Sequence, residues 1–415
     1  MDESAKLLLD GLSCALRGES VSWQAGAVSS WPALRHLAMA HYVLPLLAQA
    51  VWDSPAAASD PAAVKSLCAK ARQLVTVQAR STADFLLLYR ELQQRGLNPI
   101  VMKGIICRSL YPCPEQRPSV DEDLLARPGT FLDCHNALLS LGFRVLEEGI
   151  TPENAAEISY RHPETFLYLE LHRYPFPPDS EAYGDFNALF AGAERRAVPL
   201  TVLDTTLYTL SPTDHLLFLI CHAHKHFLHS GVGIRQICDI GMFAECCRDE
   251  VDWQRVYRDC AAYRIEYIAA AFFRIAERHL GFSMPALFAD LQVDEMPLLE
   301  DILSGGLYGT EDEDRLHSGT LTLDAVAAER QGRKRRGLLS TLFPSAAALS
   351  TRFPYLRKKP WLLPLAWLQR AAGYLKKKEL SAGSSIRIGE QRINMEYIKA
   401  IYCQPAYLTY MQSTS

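Results

Sequence analysis

A mixed fold of sheet and helix, with a strand-containing middle module framed by helices on both sides, is what this sequence predicts. Three observations carry that reading. Apolar residues recur at helical spacing through the first hundred positions, short strand-like runs replace them after Gly96, and helical spacing returns from Pro212. The middle module runs strand, helix, strand, helix, strand, strand, an order that implies an α/β or α+β sheet with helices on one side.

Each element has its own justification. Leu7, Leu8, Leu12 and Leu16 mark a first helix, a stripe from Leu34 through Val43, Leu46 and Val51 a second, and Val64 to Leu92 a third. The Pro, Ala, Ser and Asp residues from Ser54 to Pro61 form the turn between the last two. Ile100-Val101-Met102 reads as a buried strand, and Leu110-Tyr111-Pro112 ends the helix-like stretch that follows. Val120 to Leu125 is the next strand, Thr130 to Leu141 a helix, Phe143 to Leu146 a strand, and Phe166 to His172 a strand rich in aromatic bulk. Pro212 to His229, Gly233 to Arg248 and Trp253 to Arg278 are then read as three helices.

Composition limits the function classes. The 415 residues are 49% apolar and 22% charged, which excludes collagen, long disordered tails and small disulfide scaffolds, and a net charge of -4 does not point to a general nucleic-acid binder with its basic surface. Mean hydropathy is -0.04. Eleven cysteines, without a C-x-x-C pair, fit a reducing cytoplasm. The acidic start Met1-Asp2-Glu3 is unlike a signal peptide, and no apolar run is long enough to predict a transmembrane helix.

The chemistry concentrates in Lys103-Gly104 followed by Asp121-Glu122-Asp123. On a strand, Asp121 and Asp123 share one face while Glu122 points to the other. Two parallel carboxylates repel unless a cation lies between them, and Mg²⁺ (or Mn²⁺) takes such oxygen ligands. Glu170, flanked by Leu169 and Leu171, is the candidate third acid if its strand pairs beside that of Asp121. Three such carboxylates hold two metals for an in-line phosphoryl or nucleotidyl displacement. Gly104, at a strand-to-helix turn, admits backbone N–H groups to a triphosphate, and Lys103 adds charge.

These residues resemble a family. Lys103-Gly104, Tyr111-Pro112, Arg117, Asp121-x-Asp123-Leu124-Leu125 and Glu170-Leu171-His172 are similar to the uncharacterised bacterial nucleotidyltransferases of the DNA polymerase β-type superfamily. The similarity continues through His222 and His226, Arg235 and Asp239, Leu342-Phe343-Pro344-Ser345 and Arg352-Phe353-Pro354. It implies an α+β fold, a small mixed-sheet core framed by N-terminal and C-terminal helical regions. It also implies metal-dependent transfer of a nucleoside monophosphate from an NTP, with ATP the expected donor. Asp121, Asp123 and Glu170 match the metal-binding acids. Lys103-Gly104 stands where many members carry Gly-Ser, which removes one hydroxyl contact to phosphate.

Lys103, Gly104 and Arg117 are placed with the nucleotide, and Lys225, on the histidine-bearing helix, is read either as reaching β- or γ-phosphate oxygens or as an exposed helix lysine. His172, His222, His226, Arg235 and Asp239 fall on the acceptor side. The acceptor itself, a small molecule, peptide, protein or RNA, is left open. His222, His226 and His229 share a helical face, but no upstream cysteine pair supports zinc, so the face is read as lining or underlying the cleft. Arg235 and Asp239 have the spacing of a surface ion pair, with an acceptor-side role for Asp239 as the sharper reading.

Regions are drawn at 1–95, 96–210, 211–305 and 306–415. The last carries thirteen basic and no acidic residues over 330–378, after nine acidic and no basic ones over 290–314. A peripheral membrane contact by its Trp361- and Trp367-containing segment is the minor reading, and an amphipathic helix on the body is preferred. The alternative to catalysis is a degenerate nucleotidyltransferase fold serving as a nucleotide sensor or interaction module.

Overall fold

The computed structural model describes residues 1–305, apart from 148, 154, 166, 179–183 and 230, together with 360–363. The described residues up to 305 lie in one compact unit, and the single 3-10 turn Pro360–Leu362 lies in a second. The Leu342 and Arg352 motifs, the basic run apart from 360–363, and the second tryptophan all lie outside the described residues.

The N-terminal helices are α1 (Glu3–Ala15), α2 (Trp31–Ala40), α3 (Leu44–Val51), α4 (Pro55–Ser59) and the 34-residue α5 (Pro61–Gln94). Asp2, Ser30, Ser54 and Asp60 each accept a first-turn N–H, the usual way to satisfy donors that a helix start leaves orphaned. The stripe read as one helix from Leu34 to Val51 is broken after α2, where Tyr42 adopts a left-handed φ of 56°.

Seven strands form one sheet: β1 (Ile100–Val101), β2 (Glu122–Leu125), β3 (Arg144–Val145), β4 (Glu157–Arg161), β5 (Tyr168–His172), β6 (Val198–Val202) and β7 (Thr205–Thr209). Their spatial order is β3-β4-β5-β2-β1-β7-β6. The sheet is mixed: β2 runs parallel to β5 and β1 parallel to β7, while the other neighbours are antiparallel. Helices α6 (Ile105–Arg108) and α7 (Phe131–Ser140) follow β1 and β2. Phe85, Leu88, Tyr89 and Leu92 of α5 join Phe131 and Leu138 of α7 against Leu124, Leu169 and Leu171 in the core. The sequence reading found β1, β2, β3 and β5 but not β4 or the β6-β7 hairpin, whose strands sit at or near the edges.

The remaining helices are α8 (Ala193–Arg196), α9 (Pro212–His229), α10 (Ile234–Cys246), α11 (Trp253–Ala262), α12 (Glu266–Leu280), α13 (Ala286–Ala289) and α14 (Met296–Gly305). The expected single helix from Trp253 to Arg278 is two, divided where Arg264 takes a φ of 57°. In the described part of the acidic run Glu295 is 2% exposed and accepts from Nη1 of Arg278 at 2.9 and 3.1 Å, while Asp290, Asp294 and Glu300 are exposed. Buried His41, after α2, bonds the carbonyl of Leu303 at 3.3 Å and ties the two ends of this unit together. The whole is an α+β fold with a mixed sheet and helical flanks.

Candidate active site

The site grows from register. Strand β2 pairs with β5 so that Asp123 is the direct partner of Glu170, and alternation puts both carboxylates on the face away from Leu124 and Leu171. Strand β1 lies on the other side of β2, and the amide of Met102 donates to the carbonyl of Asp123 at 3.0 Å, which delivers Lys103 beside the acids. Nζ of Lys103 sits 2.9 Å from Oδ2 of Asp121 and 3.1 Å from Oδ2 of Asp123. It also lies 3.4 Å from Nε2 of His222 on α9.

The second cation of the cluster is His172, two residues beyond Glu170 on the same face. Its Nε2 is 3.1 Å from Oδ1 of Asp123 and 3.6 Å from Oε2 of Glu170, and its Nδ1 is 3.5 Å from Oε2 of Glu157 on β4. Burial pulls its pKa down, but the bonds to Asp123 and Glu170 outweigh it and hold the imidazole up at about 9. Tyr168, two residues before Glu170, donates its hydroxyl to Oε1 of Glu170 at 3.3 Å.

The cluster sorts the carboxylates by surroundings. Burial raises the pKa of Asp121, but Lys103 reverses that and holds the group far below the usual carboxylate range. Asp123 is held up, first by burial and then by Asp121 and Glu170, despite Lys103. Burial also lifts Glu170, yet His172 and Lys103 bring it below its ordinary value. Lys103 is kept firmly charged because the three acids overcome its burial. On the facing helix, burial and then Lys103 keep His222 and His226 neutral, His226 at about 3.

These groups line one cavity of about 390 Å³, into which Lys225, Arg235 and Asp239 also reach. Every residue assigned from sequence to nucleotide, metal or acceptor lines it. Not all present free chemistry. Asp239 is 3% exposed, and its Oδ1 accepts from the Tyr111 hydroxyl at 2.8 Å and from Nε of Arg117 at 3.0 Å. Its Oδ2 pairs with Nη2 of Arg117 at 2.5 Å. The expected surface pair of Arg235 with Asp239 is therefore replaced by a buried bidentate pair with Arg117, which saturates the carboxylate that a general base would need.

Gly104 differs in the same way. Its φ is 63°, and a Cβ there would collide with Oε2 of Glu122. Glu122, on the face opposite Asp123, accepts from the Ile105 amide at 2.8 Å and pairs with Nη2 of Arg108 at 2.6 Å. The glycine makes room for a carboxylate that already caps α6, so this first turn is not an open cradle for phosphate. Sequence reasoning missed Glu157 and Tyr168. Tyr168 was legible as the next residue on the face of Glu170 and His172; Glu157 required β4, whose alternation Glu157-Ile158-Ser159-Tyr160 was the signal.

A family model for an uncharacterised nucleotidyltransferase matches residues 28–281, well over half of the chain. The chain belongs to that family. The match includes the whole sheet, every residue of the carboxylate cluster and the helices α9 and α10 that line the cavity, so the nucleotidyltransferase family and the site coincide. No curated protein matches the chain. Among the described residues, no helix is long and apolar enough to cross a membrane.

The donor set suits a cation. One ligand atom from each of Asp123, Glu170 and His172 lies within 4.8 Å of the others. Oδ2 of Asp123 is buried and accepts no well-formed hydrogen bond, although Lys103 is near. Carboxylate oxygens predominate, which is the preference of Mg²⁺ and Mn²⁺, and the imidazole widens the choice toward Mn²⁺.

Proposed function

We propose that this chain is a bacterial, cytoplasmic nucleotidyltransferase of the DNA polymerase β type, which moves a nucleoside monophosphate from an NTP, ATP first, to an acceptor. Asp121, Asp123 and Glu170 would hold Mg²⁺ or Mn²⁺, with His172 as the adjoining ligand or counter-cation. The observation that carries the reading is the direct pairing of Asp123 with Glu170 beside a Lys103 ammonium wedged between Asp121 and Asp123. So many buried acids on one cavity wall require cations, and a metal–triphosphate is one that also supplies a reaction. A bound metal supplies neutralisation of the charge that develops on the phosphoryl oxygens.

The protein's own groups do the rest. Lys103 would be free to meet phosphate oxygens as a mobile point charge if a metal were held by the aspartates in its stead. Neutral His222 is within reach of that ammonium and keeps it oriented. His226 and Lys225 continue the same helix face toward the acceptor and nucleotide. Arg117 and Asp239 act as a buried strut under the cavity. The division at 95/96, 210/211 and 305/306 belongs to this reading, with the first helical region and the third supporting a central catalytic sheet.

A second reading has one observation in its favour. Lys103 satisfies the aspartates without metal, as a nucleotide sensor that has lost catalysis would also do. Pyrophosphate release separates the two. Wild type, Asp121→Ala and Asp123→Ala are assayed with ATP, GTP, CTP and UTP, Mg²⁺ and cell extract as acceptor source. Catalysis predicts release from wild type, lowered roughly 10²–10³-fold in both variants. Equal release from all three removes the acids from the mechanism, and release from none gives the sensor reading.

A further inference from the structure

The first turn of α10 brings a different chemistry to the cavity. Arg235 lines it and is only 6% exposed. Its Nη1 donates to the carbonyl of Pro118, and its guanidinium lies 5.8 Å from the centre of the Tyr42 ring. Its Nε has no hydrogen-bond acceptor. No carboxylate among the described residues forms an ion pair with it, because Asp239, one turn along the same helix, is committed to Arg117.

The contrast with its neighbours is sharp. Arg108 and Arg117 are as deeply buried, and each has its own carboxylate, Glu122 for one and Asp239 for the other. A buried charge without a paired counter-ion is costly, and Asp121, which Arg235 helps to keep ionised, lies outside ion-pair distance, so a guanidinium left this way beside a cavity is matched to an anion that arrives from outside. Two further features point the same way. Arg235 sits in the first turn of the 13-residue α10, whose N-cap Gly233 has no side chain to accept from the first amides, although its own amide donates to Oε1 of Gln236 at 2.7 Å. Lys225 of α9, half-buried, lines the same cavity without an ion pair among the described residues.

We infer that Arg235 and Lys225 form a phosphoryl-binding subsite, in which the Arg235 guanidinium, held in place by Pro118 and Tyr42, is the anchor for the anionic oxygens of a substrate. The inference deepens the nucleotidyltransferase reading and rests on it for the source of the phosphoryl group, the polyphosphate tail of the NTP or a phosphate on the acceptor. It moves Arg235 from the acceptor side to the phosphate and gives the phosphate a home other than the α6 turn, which Glu122 already fills. Arg is the residue suited to such a task, since its planar fork pairs two oxygens at once.

Calorimetric binding tests it on the full chain, using tripolyphosphate and a non-hydrolysable ATP analogue, each with Mg²⁺. Wild type is compared with Arg235→Gln, Arg235→Lys, Lys225→Gln and Asp123→Asn. The subsite predicts that Arg235→Gln weakens tripolyphosphate about tenfold or more, as loss of a charge-assisted contact should, with Arg235→Lys and Lys225→Gln intermediate. If the anion is the NTP tail, the analogue weakens in parallel and competes with tripolyphosphate; if it belongs to the acceptor, tripolyphosphate binds on top of the analogue and is alone affected. Wild-type affinity for tripolyphosphate in both Arg235→Gln and Lys225→Gln overturns the subsite, as does no binding by wild type. Lys225→Gln, at a half-buried position, keeps the test decisive should Arg235→Gln fail to fold. The Asp123→Asn arm reports on the metal reading separately: unchanged Mg²⁺-dependent analogue binding there counts against that reading and leaves the subsite standing.

Discussion

Nζ of Lys103 lies almost equally far from Asp121 and Asp123, 2.9 Å from one carboxylate and 3.1 Å from the other, so a single ammonium neutralises the pair that the proposed metal would otherwise share. Lysine and the proposed metal would therefore compete. Lys103→Gln should bind Mn²⁺ more tightly than wild type in the absence of nucleotide, by roughly tenfold for each 1.4 kcal/mol of relief. Titration followed by Mn²⁺ paramagnetic resonance reads this directly, and weaker binding by the variant would mean that Lys103 and the ion do not share the site. Mn²⁺ should also raise the thermal midpoint of wild type by mass action on the folded state, and Asp123→Asn should abolish the rise.

Gly104 is required by its backbone and by its neighbour together. With φ at 63° and Oε2 of Glu122 occupying the space a Cβ would need, Gly104→Ala must displace the carboxylate that caps α6. A loss of about 2–4 kcal/mol is expected, combining backbone strain with a broken buried hydrogen bond. Urea unfolding measures it; a change under about 0.5 kcal/mol would show that Glu122 can move freely.

The pair Arg117–Asp239 should behave as a buried ion pair. Asp239→Asn leaves a guanidinium without its counter-charge and is expected to cost about 3–5 kcal/mol. Adding Arg117→Met should recover part of that loss, since the uncompensated charge goes with it. A double-mutant cycle that is simply additive would contradict this, and Tyr111→Phe should cost only about 1 kcal/mol for one hydrogen bond.

Acid should weaken the fold through buried histidines. Burial holds His215 down at about 3, with Nδ1 3.2 Å from Oγ1 of Thr209 and the ring stacked 4.7 Å from Phe243. An unfolded histidine titrates near ~6.5. Between those values the unfolded chain binds the proton and the folded one does not, so stability falls as pH drops from 6.5 toward 3. His226 acts in the same sense, whereas His172, held up at about 9, adds stability below ~6.5 that is lost as pH rises through 9. The urea midpoint should decline from pH 7 to pH 5 in wild type and decline less in His215→Gln. Equal slopes would show that His215 is not buried neutral.

How far the sequence could be read follows from what kind of signal each feature leaves. Asp121, Asp123, Glu170 and His172 were visible because strand alternation turns spacing directly into a shared face. The β6-β7 hairpin was not, since its turn uses Leu203 at a φ of 53° and Asp204 where an Asn-Gly or Asp-Gly pair would have announced it. The breaks at Tyr42 and Arg264 are likewise left-handed residues that are not glycine, so helix periodicity seemed to run through them. The partner of Arg117 was hidden for another reason. Asp239 lies 122 residues away, and nothing local distinguishes it from a partner of Arg235 at the next turn.

The buried contact of Arg108 with Glu122 also has a bearing on how the chain finds its fold. Strand β2 carries acids at successive positions, and sliding it by one residue against β1 or β5 would turn Glu122 toward the cleft and Asp123 toward the core. A cleft acid would still be present, so chemistry alone does not forbid the slipped pairing. Arg108 disfavours it, because it is 1% exposed and its guanidinium pairs with the longer Glu122 carboxylate at 2.6 Å, a reach that an aspartate turned to that face lacks by one methylene. The longer Glu122 side chain also reaches the Ile105 amide, which a shorter aspartate in its place would have to stretch to find. This ion pair on the far side of the sheet is thus a registration pin, set where no substrate touches it, that decides which carboxylate the cavity receives.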